Sequence, residues 1–266
     1  MKKILVIMLV SLSFQISLQA TSLFNSVINK SIDYLVQIKR ENQNNKQQQD
    51  YKELSKHQSF TTSNKINNID YFVKRYINKK KCDQILSNGG YFTTCYNYQY
   101  KSMTAGYEIL DGNLVYKKNI KKRPRFYVDS NIPRRYQTTY SDYIHSGFDR
   151  GHTEANDASF DYSQRSQLST YVMSNITPQY PKTNRKSYLQ VEKEARKLAV
   201  KYNKIKSVTL VLFSNHPKKL GRSRLSIPTG YYKIFYNKNF QKCYYIPNDN
   251  VIYQLNEMKI NCSLIK

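Results

Sequence analysis

The chain has 266 residues and a formal charge of +25, with 43 Lys and Arg residues against 18 Asp and Glu residues. This length is sufficient to bury the core of one large domain or two small ones. The charge favours polyanionic partners, but solubility or attraction to a membrane surface would also account for it. Beyond the first twenty residues, the composition excludes a membrane-spanning segment.

The first twenty residues, MKKILVIMLVSLSFQISLQA, have the pattern of a secretory signal peptide. Lys2 and Lys3 precede an apolar run from Ile4 to about Leu18, and the segment ends in Ala20. A transmembrane anchor would need about 20 apolar residues, whereas Ser and Gln residues interrupt this run. We therefore predict a secreted or periplasmic protein that has no stable membrane anchor after signal cleavage.

Residues 21–68 form a polar appendage rich in Asn, Gln and Lys. Apolar residues recur at helical spacing only between positions 23 and 38, and few follow. Such a composition cannot build a core of its own. We predict an N-terminal appendage that is partly helical or disordered, followed by one domain over residues 69–266.

The four cysteines acquire a meaning from export, because an oxidising compartment allows disulfides to form. Four cysteines permit three pairings. Proximity in the sequence favours Cys82 with Cys95 and Cys243 with Cys262. A zinc site is the competing interpretation, but no two cysteines have the two-to-four-residue spacing of metal knuckles.

The domain itself combines sheet and helix patterns. From Ile69 the sequence consists of Tyr-rich alternating runs that predict strands and hairpins, with a turn at 111–113. Residues 184–202 predict a helix with one buried stripe, and 207–215 and 229–237 predict two further strands. The fold class is therefore α+β, with a central antiparallel sheet flanked by helices.

One short string concentrates the chemistry. The stretch SDYIHSGF predicts a strand that leads into Asp149, Arg150, Gly151 and His152, and a polar loop follows before the helix. A histidine at the end of a strand, facing an amide and a carboxylate on a helix, is an arrangement suited to metal-assisted phosphodiester hydrolysis.

The string is followed by SNITPQ at 174–179, then by Asn184, Glu192 and Arg196. Together these motifs resemble the DNA/RNA non-specific endonucleases of the ββα-metal, or His-Me finger, class. The resemblance covers roughly residues 97–235 and includes RPRFYVD and SIPTGYYKI as flanking strands. It implies a ββα-metal finger within the α+β fold and DNA and RNA as substrates.

The resemblance also implies roles for individual residues. His152 corresponds to the general base, and Asn184 to the single direct metal ligand. Glu192 corresponds to a carboxylate that acts on the metal through water. Arg150 corresponds to the motif arginine and Asn175 to an asparagine of the site.

Two substrate-binding arginines follow from the same resemblance. Arg196 corresponds to a helix arginine near the phosphate. The upstream arginine is Arg123 or Arg125, and we prefer Arg125. The chain departs from the family pattern at residues 153–155, where a proline is usual, and at Tyr188, where a tryptophan is common; these changes bear on the shape of the loop and on substrate preference.

The chemistry is consistent with these residue types. Mg²⁺ often uses only one or two protein oxygens and keeps water elsewhere, so the Asn184 oxygen would suffice, with Mn²⁺ as a substitute. Glu192 lies about 12 Å further along a straight helix, which favours contact through water. His152 would deprotonate the attacking water near neutral pH, leaving 5′-phosphorylated products. The alternative is a catalytically inactive, basic, nucleic-acid-binding protein that captures DNA.

Overall fold

A computed structural model describes residues 71–117, 120, 123–155 and 163–265. The predicted signal peptide and polar appendage lie outside the described residues, and so do positions 156–162 after the histidine motif. Within the described part, no helix is both long and apolar enough to cross a membrane.

A seven-stranded antiparallel sheet forms the centre of the fold, in the order β1-β2-β3-β6-β9-β10-β11. Its strands are β1 (Gln84–Leu86), β2 (Phe92–Asn97), β3 (Ser102–Asp111), β6 (Lys204–Leu212), β9 (Gly230–Tyr236), β10 (Gln241–Pro247) and β11 (Lys259–Ile260). Two short pairs lie outside it, β4 (Asp149–His152) with β5 (Ile176–Gln179) and β7 (Lys219–Leu220) with β8 (Leu225–Ser226).

Both faces of the sheet are covered, because successive side chains of a strand point to opposite faces. Along β9, Phe235 joins one buried cluster, while its neighbours Ile234 and Tyr236 join another. Helix α1 (Tyr71–Tyr76) contributes Val73 to the second cluster. The fold is thus α+β with a central antiparallel sheet, as the sequence predicts.

The remaining helices are α2 (Gln164–Ser169), α3 (Leu189–Tyr202) and α4 (Leu255–Met258). Helix α3 buries Val191, Ala195 and Leu198 against the sheet, which confirms the predicted stripe. The prediction of an α-helix from residue 184 was wrong in its first turns, because Thr183–Tyr188 is π-helical. Such widened turns are rare and are frequent at functional sites.

Both cysteine pairs predicted from proximity form disulfides. Cys82 is bonded to Cys95 and Cys243 to Cys262, with separations of 13 and 19 residues. Each closes a short loop at one end of the sheet, and each contributes about 3 kcal/mol in the chain-entropy estimate.

Two predicted strands before the histidine motif are not strands. Residues Tyr140–Tyr143 form a 3₁₀ helix, because Asp142 accepts hydrogen bonds from the Thr139 amide at 2.8 Å and the Ser223 amide at 2.9 Å. The RPRFYVD segment contributes only an isolated bridge between Tyr127 and Val172. In the segment that leads to the histidine motif, strand pairing starts only at Asp149, where β5 is available as a partner.

Candidate active site

The site is built on the β4–β5 hairpin and the helix that follows it. Asp149 is paired with Gln179 and His152 with Ile176 in an antiparallel register. Gly151 allows the hairpin to pack, because a Cβ atom at that position would lie 2.2 Å from Cδ of Gln179. The glycine of the motif is therefore required by the close approach of a side chain.

Asp149 connects the hairpin to the helix. Its Oδ2 accepts a hydrogen bond from Nδ2 of Asn184 at 2.9 Å, and both carboxylate oxygens accept from Arg185, at 2.8 and 2.7 Å. Burial would raise the pKa of Asp149, but the hydrogen bonds from Arg185 and Asn184 outweigh it and lower the pKa. The carboxylate is thus held in its charged form.

The same contact determines which way the Asn184 amide points. An ionised carboxylate only accepts hydrogen bonds, so the NH₂ group of Asn184 must face Asp149. The amide oxygen, which is a hard ligand, is consequently turned away from Asp149. The hydrogen bond to Asp149 therefore places Asn184 beside the first residue of β4, whose last residue is His152.

His152 is at the end of β4, and its side chain is in an aromatic environment. The imidazole centroid lies 5.4 Å from the ring of Phe126 and 5.1 Å from that of Tyr171, which it meets edge-on. Only 7% of the residue is exposed. Packing on two sides restricts the orientation of the imidazole ring.

Two arginines approach the same rings. The Arg150 guanidinium lies 4.1 Å from the ring centroid of Tyr140 and 5.9 Å from that of Phe126. Arg123 lies 5.6 Å from the centroid of Phe126 and 5.5 Å from that of Tyr171. Arg123 and His152 thus share both aromatic neighbours.

Arg123 and the preferred upstream residue, Arg125, are both exposed to solvent, but it is Arg123 whose guanidinium lies beside the rings that flank His152. The geometry favours Arg123 over Arg125 as the upstream arginine of the site. Spacing could not separate the two arginines, which are only two residues apart.

Asn175 stabilises the loop that follows His152. Its Oδ1 accepts from the amides of Glu154 and Ala155, at 3.1 and 3.3 Å, and its Nδ2 donates to the carbonyls of Ala155 and Thr170, at 2.6 and 2.9 Å. The residue is fully buried. These bonds hold the backbone beside His152, and the catalytic role expected for Asn175 stays a prediction.

Two residues at which the chain departs from the family pattern, Thr153 and Tyr188, contact each other in this loop. The Tyr188 hydroxyl donates to the carbonyl of Thr153, and the Thr153 hydroxyl lies 2.8 Å from that of Thr177 on β5. The loop therefore has a defined path without the usual proline, and the tyrosine that replaces a tryptophan holds it directly.

Glu192 and Arg196 lie on the buried side of α3. Glu192 is half-buried, and its charge is close enough to contribute to the raised pKa values of Tyr188 and Glu108, after the larger effect of burial. Arg196 is 5% exposed, with its guanidinium 5.8 Å from the ring centroid of Tyr116. Substrate binding by Arg196 stays a prediction, and so does water-mediated metal binding by Glu192.

Asp149 is the residue of the site to which the sequence analysis assigned no role. Its position as the first residue of the histidine motif was a usable signal, but its partners Asn184 and Arg185 are 35 and 36 residues away in sequence. Only the packing of the helix on the hairpin reveals the contact.

The donor set suits a hard divalent cation bound by few protein atoms. The described residues contain no group of three or more His, Cys, Asp or Glu side chains that could hold a metal ion. A single oriented amide oxygen, supplemented by water, is a coordination mode that Mg²⁺ tolerates.

A hairpin that ends in a histidine, followed by a helix that brings an asparagine to the same strand, defines a ββα-metal finger. The sequence model of the DNA/RNA non-specific endonuclease family matches residues 71–265. The chain belongs to this family, which confirms the resemblance inferred from the motifs.

Individual relatives agree with this assignment. The chain is 29% identical over 119 residues to "Endonuclease G, mitochondrial" of Bos taurus, covering 41% of this chain and 40% of the relative. It is 32% identical over 136 residues to "Mitochondrial nuclease" of Saccharomyces cerevisiae, covering 50% and 40%. The chain thus spans about two fifths of the length of these curated relatives.

A solved structure has the same fold. The crystal structure of the EndoG/EndoGI complex contains a chain that is similar with a TM-score of 0.61 and 21% identity, over 65% of this chain and 79% of that one.

Proposed function

We propose that the protein is a divalent-metal-dependent endonuclease that hydrolyses phosphodiester bonds of both DNA and RNA and leaves 5′-phosphorylated products. The observation that carries this proposal is the contact between Asp149 and Asn184, which brings an oriented amide to the strand that ends in His152 and turns its oxygen away from Asp149. Membership of the nuclease family supports the same conclusion.

Asn184 would hold the metal ion directly, and Glu192 would contact it through water. Mg²⁺ is the proposed ion and Mn²⁺ a substitute. When bound, the ion would supply charge stabilisation for the pentacovalent phosphorus and the departing 3′ oxygen.

The proposed reaction needs a base, and His152 supplies it. Imidazole ordinarily titrates near neutral pH, so its neutral form can accept a proton under physiological conditions. Water attacks the phosphorus atom, its proton passes to His152, and the bond from phosphorus to O3′ breaks. The products are a 5′-phosphate and a 3′-hydroxyl, which takes its proton from solvent.

The arginines would bind the phosphate. Arg150 and Arg123 are both within 6 Å of the Phe126 ring centroid, which also neighbours His152. Guanidinium groups form strong paired hydrogen bonds with phosphate oxygens. Contacts of this kind carry no base information, and a formal charge of +25 adds affinity for any polyanion. Both features support a sequence-tolerant enzyme.

We further propose that the protein is exported. The N-terminal signal-like sequence and the two disulfides support an oxidising destination, outside the cell or in a periplasm. The relatives named above are mitochondrial by name. Protease treatment of intact, outer-membrane-permeabilised and lysed cells that express the full chain tests the location: digestion only after lysis would contradict export.

The activity is tested by digesting plasmid DNA and total RNA with Mg²⁺, with and without chelator. Wild-type protein is expected to degrade both, chelator to stop it, and His152→Ala to slow it by about 100- to 10,000-fold. His216→Ala is the matched control, because His216 is exposed and has no role in the proposed site. Retention of DNA without cleavage by wild-type protein would indicate a DNA-capture protein instead.

A further inference from the structure

A buried ion pair lies directly behind the loop that follows His152. The side chains of Glu154 and Lys233 are 0% and 3% exposed, and Nζ of Lys233 lies 3.8 Å from Oε2 of Glu154. Lys233 also donates to the backbone carbonyl of Glu154 at 3.1 Å. Ser207 donates to Oε1 of Glu154 at 2.9 Å. We refer to Glu154, Ser207 and Lys233 as the Glu154 clamp.

The central sheet is shaped to receive this clamp. Gly106, Thr209 and Lys233 are aligned across the adjacent strands β3, β6 and β9. A Cβ atom on Gly106 would lie 2.6 Å from Cβ of Glu154, so the glycine leaves space for the Glu154 side chain. On the neighbouring strand, the Thr209 hydroxyl donates a hydrogen bond to the carbonyl of Thr153 at 3.4 Å. Three strands thus contribute to a seat for residues 153–154.

Stability alone does not account for a buried ion pair. Removing two charges from water costs several kcal/mol per ion, and an apolar pair of similar size is often as stable or more stable. The pair instead restricts the conformation of the chain, because Lys233 contacts both the side chain and the backbone carbonyl of Glu154. Glu154 is two residues after His152, so these contacts fix the direction in which the chain leaves β4.

We propose that Glu154 and Lys233 are positioning residues that hold the His152 imidazole in the orientation needed for proton transfer. This inference rests on the proposed function, in which His152 is the general base. Small displacements of a reacting group can slow an enzyme by about 100-fold. The clamp would prevent such displacements by anchoring the loop to three central strands.

The test uses the double variant Glu154→Gln/Lys233→Met in the full chain. Both substitutions keep approximate size and remove both charges of the pair together, so neither partner is left charged opposite a neutral one. We expect the unfolding midpoint to change by no more than about 5 °C and KM by no more than about threefold. We expect kcat to fall at least about tenfold. Ser207→Ala, which removes one bond to Glu154 and leaves both charges in place, is measured in parallel in case the double variant does not fold. At least a threefold fall in kcat is expected, and a wild-type kcat in that folded variant overturns the inference.

A second ion pair provides the matched control. Lys242 and Glu194 are 2.9 Å apart and partly exposed, on β10 and α3. Glu194→Gln/Lys242→Met makes the same chemical change and should leave kcat unaltered. A folded clamp double variant with the kcat of the wild type would overturn the inference. So would an equal loss of kcat in the control, since it would show an effect of charge removal in general.

Amide hydrogen exchange separates this inference from the proposed function. The Glu154 and Ala155 amides are bonded to Asn175, and both should exchange at least about tenfold faster in the clamp variant, with the amides of β6 and β9 unchanged. If wild-type protein cleaves no nucleic acid, the proposed function fails. The clamp's effect on the loop is then judged by exchange alone, and unchanged exchange would refute it.

Discussion

Nδ2 of Asn184 donates a hydrogen bond of 2.9 Å to Oδ2 of Asp149. Because the carboxylate cannot donate, this contact fixes the side-chain amide with its oxygen directed away from Asp149. Arg185 holds the other side of the carboxylate through a pair of hydrogen bonds. Asp149 thus orients the side chain that we propose as the metal ligand.

Substitution of Asp149 tests this arrangement. Asp149→Asn removes the charge that Arg185 and Asn184 share, so the Asn184 amide is free to rotate. We expect the Mg²⁺ concentration for half-maximal cleavage to rise by at least about tenfold. The measurement is a metal titration of DNA cleavage.

Asp111→Asn is the control, because Asp111 pairs with Lys204 at the surface, at 3.6 Å. The control should have the metal dependence of the wild type. An unchanged metal requirement in Asp149→Asn would show that Asp149 does not orient the ligand.

The two upstream arginines can be distinguished by a matched pair of variants. Arg123 is close to Phe126 and Tyr171, the rings that flank His152, and this contact, rather than burial, distinguishes it from Arg125, since both arginines are exposed. We expect Arg123→Ala to lower kcat/KM at least about tenfold, which corresponds to one lost charge-assisted hydrogen bond. Arg125→Ala should stay within about threefold of wild type. A larger loss of kcat/KM in Arg125→Ala than in Arg123→Ala would favour Arg125 as the upstream arginine.

Asn175 is expected to affect both stability and activity. Asn175→Ala leaves buried amides and carbonyls without their partners, at a cost of about 1–3 kcal/mol for an unsatisfied group. Thermal unfolding should report this loss, and kcat of the folded protein should also fall.

Asn88→Ala is the comparison, because Asn88 is also buried and its amide donates to the Leu86 and Phe92 carbonyls and to Thr94, outside the proposed site. It should reduce stability and leave kcat unchanged. Equal kcat values for the two variants would argue against a positioning role for Asn175.

Glu108 predicts a pH dependence of stability. Burial, and then the charge of Glu154, raise its pKa well above the ordinary value. The folded state therefore binds a proton that the unfolded state releases, so stability should fall as pH rises from the unfolded pKa through the folded one. Glu108→Gln removes this pH-dependent contribution to the free energy of unfolding.

We expect the unfolding midpoint of Glu108→Gln, measured with chelator, to gain on the wild type as pH increases from about 4.5. The comparison needs only thermal unfolding of both proteins across the pH range. A constant difference between them would show that Glu108 does not titrate in this range.

The sequence was most informative where a pattern has a direct physical meaning. The strand predictions at 207–215 and 229–237 correspond to β6 and β9, although β6 begins and ends three residues earlier; the 3.6-residue period predicted the buried stripe of α3, and proximity predicted both disulfides. Each of these depends on local geometry. The motif spacing was also sufficient to identify the family.

Prediction failed where distant residues decide the local structure. The turn after Thr139 is a 3₁₀ helix, with Asp142 bonded to Ser223, 81 residues away. The Glu154–Lys233 pair joins residues 79 apart. The assignment of Asp149 depends likewise on how the helix packs on the hairpin. No period or spacing in a single sequence contains such contacts.

Metal binding by three proteins tests the division of roles most directly. Isothermal titration of Mn²⁺ into wild-type, His152→Ala and Asn184→Ala protein separates the metal ligand from the base. We predict equal affinities for wild-type and His152→Ala protein, and an affinity at least about tenfold weaker for Asn184→Ala. Wild-type affinity in Asn184→Ala, or loss of metal binding in His152→Ala, would contradict the account.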